Sequence, residues 1–302
     1  MMKVLCIHFS QSGQLTEIVH NFSSELKNVE IEYVNYNVKN QFPFPWTTPV
    51  FFNCMPECVM EVPIPIKEID YSSQKYDLII LGYQPWFLSP SLPTTSLLKD
   101  EKFRQIMKDT PIVTVIGSRN MWLNSQESVK NMIANAGGIL VGNVALADKV
   151  SNLVSVLTIF HWMLTGTKTR KWGFLPKPGV SDEDIANVSI YGKLLNSSIE
   201  QNSLDTYQEK IISNGGTSVP TNILFIEGKA KKIFLVWAKL ILKKAQNGKR
   251  SFWVNAFKYY LLFVLFVVSP ILLFFYFIFI WPFTQVQLKK RKQYFQGVKL
   301  KD

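Results

Sequence analysis

Cysteine and histidine are scarce in this sequence. Its 302 residues include three cysteines, Cys6, Cys54 and Cys58, and three histidines. Three cysteines are too few for a disulfide scaffold, and the Cys-x-x-x-Cys spacing at 54–58 lacks the second pair that a structural zinc site needs. The first residues do not form the pattern of a secretory signal peptide. We therefore expect no metal site and a reducing, cytoplasmic environment.

Charge is unevenly spread along the chain. The sequence has 33 basic and 22 acidic residues and a net charge of +11. Residues 219–302 contain 15 basic and 2 acidic residues, so residues 1–218 contain 18 and 20 and carry −2. A basic tail behind a nearly neutral globular part is typical of a membrane anchor, and we expect no nucleic-acid partner. The hydrophobic content of 47% excludes a disordered chain.

The tail contains one long uncharged run. Residues 259–283 are 25 residues without a charge, which is enough to span a bilayer as a helix. Both flanks are basic, and Pro270 near the middle is expected to kink the helix. We favour one kinked transmembrane span over a re-entrant hairpin bent at Pro270. The sequence leaves both arrangements open. In either one, residues 284–302 form a basic tail at the end of the chain.

A second segment of the tail, residues 229–258, begins with an amphipathic pattern. Ile233, Val236, Trp237 and Leu240 follow helical spacing and are surrounded by lysines. This composition favours a helix lying in the headgroup plane of an anionic membrane. The alternative is an amphipathic helix that packs on the globular domain.

The globular part alternates strand and helix patterns over residues 1–205. Short apolar runs predict five strands, at 4–9, 29–36, 78–82, 112–117 and 139–147. Helical patterns lie between them, and a capping serine, Ser181, begins the last one. The pattern predicts an α/β fold with a doubly wound, five-stranded parallel sheet. Two aromatic-rich segments do not fit this alternation and are interpreted as inserts, at residues 41–66 and 148–180. We interpret residues 206–228 as a linker. We expect the inserts to cover an apolar ligand or to face the membrane.

Three loops follow predicted strands and should meet at one edge of the sheet. These are residues 10–15 (SQSGQL), 82–93 (GYQPWFLSPSLP) and 117–122 (GSRNMW). The first has the polar, glycine-containing composition of a phosphate cradle at a helix N-terminus. The other two contain Trp86 and Trp122, and a flat conjugated ring stacks well on such side chains. Ligands of open α/β sheets bind at this edge.

The three loops resemble those of the flavodoxin-like family. The opening KVLCIHFSQSGQL resembles the strand and phosphate loop that hold the phosphate of FMN. Leu15 stands where flavodoxins usually have a hydroxyl, with Thr16 next to it. The resemblance implies FMN as cofactor and assigns two sets of residues. Phosphate ligands would be Ser10, Gln11, Ser12, Gly13 and Gln14; ring contacts would be Pro85, Trp86, Phe87, Gly117, Ser118, Arg119 and Asn120.

A second resemblance extends over nearly the whole chain. The motifs FPFPW, YQPWFLSPSLP, GSRNMW, HWM and PGVSD are similar to Bacteroidetes proteins labelled dialkylresorcinol condensing enzymes, which are linked to flexirubin-type pigments. Condensing enzymes need a nucleophilic cysteine with activating histidines. Cys6 falls in a predicted core strand, and Cys54 and Cys58 fall in the proline-rich insert.

We therefore expect a membrane-tethered, FMN-dependent oxidoreductase that acts on a lipophilic aromatic or quinone-like compound. His161 is the candidate for proton delivery, although a histidine in such an apolar run is also typical of a core or interfacial position. The alternatives are a non-catalytic accessory protein that docks pigment-biosynthesis enzymes at the membrane, and a condensing enzyme. The expected location is the inner membrane, with the globular domain facing the cytoplasm and membrane lipid as a partner.

Overall fold

The computed structural model describes residues 1–300. The strands are β1 (Met2–His8), β2 (Val29–Asn35), β3 (Leu78–Tyr83), β4 (Pro85–Trp86), β5 (Ser89–Pro90), β6 (Pro111–Ser118) and β7 (Ile139–Ala147). The helices are α1 (Gln14–Ser23), α2 (Thr48–Asn53), α3 (Met55–Val59), α4 (Leu92–Lys99), α5 (Glu101–Met107), α6 (Leu123–Asn135), α7 (Asn152–Thr165), α8 (Asp182–Asn187), α9 (Ser189–Glu200), α10 (Tyr207–Ser213), α11 (Thr221–Ala245), α12 (Arg250–Phe263), α13 (Ser269–Phe275) and α14 (Gln285–Gln296).

The central sheet has five parallel strands in the order β2-β1-β3-β6-β7. This is the flavodoxin-like order of doubly wound sheets, and it confirms the predicted fold class. The inner strands read as continuous apolar runs because helices cover both faces of the sheet. One face packs against α1, α8, α9 and α10, and the other against α4, α5 and α6.

The predicted strands are all present, and their ends agree to within a few residues. The capping serine is confirmed as well, since the Ser181 hydroxyl accepts a hydrogen bond from the amide of Asp184 at 3.0 Å and α8 follows. The interpretation of 206–228 as a linker is corrected. α10 lies within it and packs on β7, with Tyr207 and Ile211 fully buried.

The amphipathic segment packs on the domain, as the alternative interpretation had it. Phe234, Ala238 and Ile241 of α11 are buried against α2, α3 and α12. The buried face is offset from the predicted one, because Ile233 and Val236 are exposed. The apolar side of α11 is therefore largely used in protein packing.

One continuous helical segment, Arg250–Phe283, is long and apolar enough to cross a bilayer by length and composition. It contains α12 and α13, with π-helical turns at Val264–Val268 and Tyr276–Ile280, and we call it the apolar segment. Pro270 follows the first π-helical turn, where its missing amide hydrogen is tolerated.

Both ends of the apolar segment are bound to the same globular domain. At its start, Arg250 makes a two-pronged ion pair with Glu57 at 2.7 and 2.8 Å, and its Nε donates to Asn53 at 2.7 Å. Beyond its end, α14 returns to the domain. There Leu288 is buried in the main core, and Gln296 donates to the carbonyl of Thr217 at 3.1 Å.

Contacts between the apolar segment and the rest of the protein recur along its length. Phe257 packs on Phe52 and Phe234, Ser269 lies in a buried position, and Tyr276 stacks on Phe225 at 3.8 Å. A crossing helix needs about 20 residues clear of the domain. Among the described residues, the longest stretch between two such contacts with the domain runs from Tyr276 to Leu288 in α14. The apolar segment therefore packs along the domain at several points, and the choice between a span and another membrane arrangement stays a prediction.

Glu227 joins α11 to the N-terminus of α6. The residue before α6 is Trp122, which offers no side-chain cap. The fully buried Glu227 carboxylate instead accepts a hydrogen bond from the amide of Asn124 at 2.7 Å. It thereby supplies the missing helix cap from another helix. Burial raises the pKa of Glu227 from its ordinary value of 4.5 to about 7.

The variant Glu227→Gln should gain stability relative to the wild type as the pH rises. Because the folded state raises this pKa, the wild type keeps the associated stability below pH 4.5 and loses it as the pH rises through about 7, by roughly 3 kcal/mol. Glutamine retains an oxygen for the Asn124 amide and does not ionise. Thermal unfolding in mild detergent between pH 4 and pH 8 measures the difference. A gap that stays constant over this range would contradict the prediction.

Candidate functional site

A cavity of about 250 Å³ lies at the carboxyl ends of β1, β3 and β6. This edge, where the strand order reverses between β1 and β3, is where ligands of such sheets bind. We call it the site cavity. All three predicted loops contribute to its wall, together with both inserts. Its lining residues are Gln11, Ser12, Gln14, Leu15, Ile18, Phe44, Trp46, Phe51, Gln84, Pro85, Trp86, Phe87, Gly117, Ser118, Arg119, Ile159, Trp162, Met163 and Gly179.

The first loop leads into the N-terminus of α1. Gly13 is the residue before the helix and has a φ of +87°, a conformation that glycine adopts without strain. The first amides of α1 have no acceptor within the helix and carry its positive dipole end. The buried hydroxyl of Ser10 has no hydrogen-bond partner. The loop therefore offers both amide and hydroxyl donors to an anion.

The side chains of Gln11 and Gln14 are engaged with the two inserts. Gln11 Nε2 donates to the carbonyl of Pro43 at 3.0 Å. Gln14 makes two hydrogen bonds of 3.1 Å with the backbone of Val180, one as donor and one as acceptor. Both residues line the site cavity, but their amides hold the inserts against the loop. Anion contacts are then left to Ser10, Ser12 and the backbone.

The hydroxyl of Thr16 does not replace the one missing at position 15. Its Oγ1 lies 2.9 Å from Nε2 of His8, which is buried in β1. Leu15 itself is buried and presents its side chain to the site cavity. Burial, with a smaller contribution from nearby His20, lowers the pKa of His8 to about 4. His8 is therefore neutral at pH 7 and adds no positive charge to the loop.

Aromatic side chains from three parts of the chain form one wall. Trp86 packs edge-to-face on Phe42 at 5.2 Å and on Trp46 at 5.3 Å. Phe87 lies 4.7 Å from Phe51, measured between ring centroids. Ile159, Trp162 and Met163 of α7 complete the wall. In the structure, both inserts therefore lie over the site cavity.

Phe87 and Leu88 form the strained tip of the β4–β5 hairpin. Their φ angles are +47° and +61°, in the left-handed region that non-glycine residues avoid. Such a backbone costs about 1–3 kcal/mol per residue and persists only where its surroundings enforce it. Lys231 of α11 does so, because its ammonium donates to the hydroxyl of Ser89 at 2.6 Å and to the carbonyl of Leu88 at 3.3 Å.

Arg119 is the one ionisable side chain in the lining of the site cavity. Its Nη1 donates to the carbonyl of Asn152 at 3.1 Å and to the side-chain oxygen of Asn152 at 2.8 Å. Asn120 donates to the same side-chain oxygen at 2.9 Å. Burial lowers the pKa of Arg119 to about 10, so the guanidinium stays charged at pH 7. A fixed cation thus faces the cavity.

Five predicted residues do not line the site cavity. Ser10 and Gly13 belong to the phosphate loop but are not among the lining residues, and Asn120 donates a hydrogen bond to Asn152. Trp122 is 1% exposed in the main core, so its interpretation as a ring contact is corrected. His161, with its Nε2 3.4 Å from the Thr169 hydroxyl, also lies outside the lining.

Sequence reasoning missed Gln84, Met163 and Gly179. Gln84 lies within the second loop, where no motif marks it as a site residue. Gly179 has a φ of +81°, and a Cβ there would lie 2.7 Å from Trp162 and 2.8 Å from Gln14. A side chain at this position would clash with both of them.

The cysteines lack the properties of catalytic nucleophiles. Cys6, Cys54 and Cys58 are buried and free. Burial raises the pKa of Cys6 and of Cys54 to about 12, and that of Cys58 well above its usual value. A nucleophilic cysteine works as the thiolate, which these sites disfavour. The described residues contain no cluster of side chains suited to hold a metal ion.

Solved structures similar to this chain include several flavoproteins. A flavoprotein from Lactobacillus acidophilus in complex with FMN is 17% identical over 48% of this chain and 93% of that chain, with a TM-score of 0.40. A flavodoxin from the domain Archaea is 12% identical over 66% and 99%, with a TM-score of 0.35. A flavone reductase is 14% identical over 67% and 64%, with a TM-score of 0.37.

No family model and no curated protein matches this chain significantly. At identities below 20% and TM-scores of 0.40 or less, the solved structures say nothing about ligand or activity. The fold assignment rests on the strand order itself.

Proposed function

We propose that this protein is an FMN-binding oxidoreductase that works at a membrane surface on a lipophilic aromatic or quinone-like compound. One observation carries the proposal. Three residues of the phosphate loop, Gln11, Ser12 and Gln14, line a single cavity together with residues of the two predicted ring loops. These loops are distant in sequence and meet at the ligand-binding edge of a flavodoxin-like sheet.

The residues present fit FMN in three respects. The phosphate loop ends in a helix N-terminus with free amides, next to the unpartnered Ser10 hydroxyl. The wall of the cavity is aromatic, as a flat conjugated ring requires. The buried side-chain amide nitrogen of Gln84, in the same wall, also has no partner, although buried polar atoms usually have one.

Each group has a distinct role in this proposal. Ser10, Ser12 and the amides before and within the first turn of α1 would hold the phosphate. Trp86 and Phe87 would face the ring, and the backbone of Gly117 and Ser118 would meet its polar edge. Bound FMN would supply electron or hydride transfer, which no side chain of the cavity provides. Arg119 orients an oxygen-bearing substrate, and the inserts exclude water.

The test is the isolation of the full chain from membranes in mild detergent, followed by an absorbance spectrum and release of the cofactor by heat. The expected result is flavin absorbance with about one FMN per chain. A colourless protein that does not take up added FMN would overturn the proposal.

One observation favours a second candidate, a non-catalytic accessory protein. The side chains of Gln11 and Gln14 are committed to the inserts, and Leu15 offers no hydroxyl, so the loop has fewer anion donors than the flavodoxin pattern implies. The colourless outcome above would favour this role. The link to dialkylresorcinol and flexirubin pigments is a proposal that rests on the sequence motifs, and the buried thiols argue against condensation through cysteine.

We also propose that the apolar segment lies in the plane of the membrane rather than across it. Its exposed side carries large apolar residues, among them Phe266, Ile271, Phe274, Phe275 and Ile278. Both basic flanks contact the same domain, so in this arrangement neither has to cross the bilayer, in agreement with the preference of Lys and Arg for the cytoplasmic side. We assign the domain to the cytoplasmic face of the inner membrane.

Single cysteines at the two flanks should react from the same side of the membrane. Asn247 and Lys290 are exposed, whereas the native cysteines are buried. The variants Asn247→Cys and Lys290→Cys should both be labelled by an impermeant maleimide in inside-out vesicles, and neither in right-side-out vesicles. Labelling from opposite sides would establish a transmembrane span instead.

A further inference from the structure

A second cavity of about 210 Å³ adjoins the site cavity. The two share six lining residues, so they are neighbouring chambers separated by a common wall. The shared residues are Phe51, Pro85, Phe87, Arg119, Ile159 and Met163. Arg119 therefore stands at the junction between the two chambers.

The apolar segment and α11 form the far wall of the second cavity. Ala230 and Phe234 come from α11, and Leu261, Val264 and Leu265 come from the apolar segment. The π-helical turn Val264–Val268 lies at this wall, and Phe266 within the turn and Phe263 just before it are exposed. The helix that walls the cavity is therefore also the one that would contact lipid.

The lining of the second cavity is apolar except for two residues. Arg119 lies at the junction with the site cavity, and Ser269 lies at the apolar segment. A polar ligand would lose its hydration here without gaining partners, whereas hydrocarbon gains free energy in proportion to the area buried. The shape and chemistry suit a saturated chain.

We propose that the second cavity binds the alkyl chain of a ligand whose oxygen-bearing ring lies beside Arg119 in the site cavity. Nη1 of Arg119 is held by Asn152, while its Nε and Nη2 make no hydrogen bond with the described residues. A phenol or quinone oxygen is an acceptor for these donors. The ligand class is thus an aromatic or quinone ring with one long alkyl chain. The assignment of the ring to a redox substrate rests on the proposed function, but the chain site does not.

The chain would enter from the membrane. In the in-plane arrangement, only the apolar segment separates the second cavity from the acyl region, and Val264 and Leu265 face the cavity. A ligand dissolved in the bilayer would then pass this helix with its chain, without crossing water. A free fatty acid or a lipid acyl chain has the same chain chemistry and is distinguished by the test.

The test measures binding of 4-butylphenol, 4-octylphenol and octanoate to the full chain in lipid nanodiscs, with empty nanodiscs subtracted. Each buried methylene should raise affinity about three- to four-fold, so the octyl compound should bind on the order of a hundred-fold more tightly than the butyl compound. Octanoate should bind more weakly than octylphenol. Tighter binding of octanoate would overturn the ring assignment in favour of a fatty-acid site.

Two variants distinguish ligand binding in the second cavity from nonspecific apolar binding. Ala230→Phe fills the second cavity and should reduce the octyl-to-butyl ratio to below about ten-fold, with butylphenol binding unchanged. Val236→Phe adds the same ring on the exposed side of α11 and should behave as the wild type. Equal chain-length dependence in both variants would overturn the proposal. Leu265→Trp is the substitute if Ala230→Phe does not fold, as judged by circular dichroism.

Photo-crosslinking gives an independent readout. An octylphenol carrying a diazirine at the end of its chain should label Phe234, Leu261 or Leu265, as located by mass spectrometry. Labels confined to Phe266, Ile271 or Phe274 would mean that the chain stays in the lipid, and would overturn the proposal.

The flavin spectrum of the same sample distinguishes a failure of the proposed function from a failure of the chain site. A flavin-free protein with the expected chain-length dependence contradicts the proposed function alone, and a flavin-loaded protein without it contradicts the chain site alone.

Discussion

Replacing Gly13 by valine should abolish FMN retention while the sheet stays folded. Gly13 has a φ of +87°, and a Cβ there would meet no heavy atom within 4 Å, so the fold itself has room for the side chain. The β-branched valine resists this conformation at a cost of about 1–3 kcal/mol, which would turn the amides of the first turn of α1 away from the phosphate. The added methyl groups would also occupy the open space in front of the loop.

The matched control for Gly13→Val is Gly215→Val. Gly215 has a φ of +77° and likewise nothing within 4 Å of an added Cβ, but it follows α10 and is not part of the phosphate loop. Both variants should lose similar stability in thermal unfolding, and only Gly13→Val should lose flavin, to below about a tenth of the wild-type content. Flavin at wild-type stoichiometry in Gly13→Val would contradict the assignment of the phosphate site.

Replacing both Phe274 and Ile278 by aspartate should release the protein from membranes. The two side chains are 62% and 49% exposed, lie four residues apart, and have no role in the contacts of the apolar segment with the domain. Moving them out of the acyl region forfeits about 3–6 kcal/mol, which lowers membrane partitioning by roughly 10²- to 10⁴-fold. Flotation with anionic vesicles measures the change.

The control for this double variant is Ile190→Asp, which alters an equally exposed apolar residue on α9. It should float with vesicles like the wild type, and all three proteins should have the same circular dichroism spectrum. If the double variant still floats, another surface binds the membrane, and the exposed Trp172 and Phe174 in the second insert would be the next residues to change.

Removal of the whole tail would not make an equivalent experiment. Phe52, Met55 and Leu88 of the globular part pack against the tail residues Phe234 and Phe257. Deleting residues 219–302 would expose this cluster and remove the cap that Glu227 gives to α6. The sequence suggests a detachable anchor, because its charge and its uncharged run are separate from the globular pattern. In the structure the tail is part of the core.

The candidate site could be predicted in outline from the sequence. The three loops were found because strand periodicity locates the carboxyl ends of strands, and parallel strands bring those ends to one edge. Nine of the thirteen predicted cofactor-binding residues line the site cavity. Trp122 was misplaced because a loop position does not determine whether a side chain turns toward the cavity or into the core.

The contacts that the sequence did not indicate are those between distant residues. Gln14 bonds to Val180, Lys231 holds the tip at Leu88, and Arg250 binds Glu57. Patterns of polarity and spacing report on neighbours along the chain, and they carry no information about which partner a long polar side chain meets. These three contacts fix the inserts, the hairpin and the tail around the cavity.

The sequence by itself determined the five parallel strands, the ligand-binding edge and the presence of a basic, apolar tail. Each of these follows from local periodicity and composition, which act through backbone geometry and burial. Only the tertiary structure decided that the tail packs along the domain, that α14 returns to the main core, and that a second cavity opens beside Arg119. Those features depend on how a helix docks on a surface already formed, and packing of side chains far apart in sequence determines that docking.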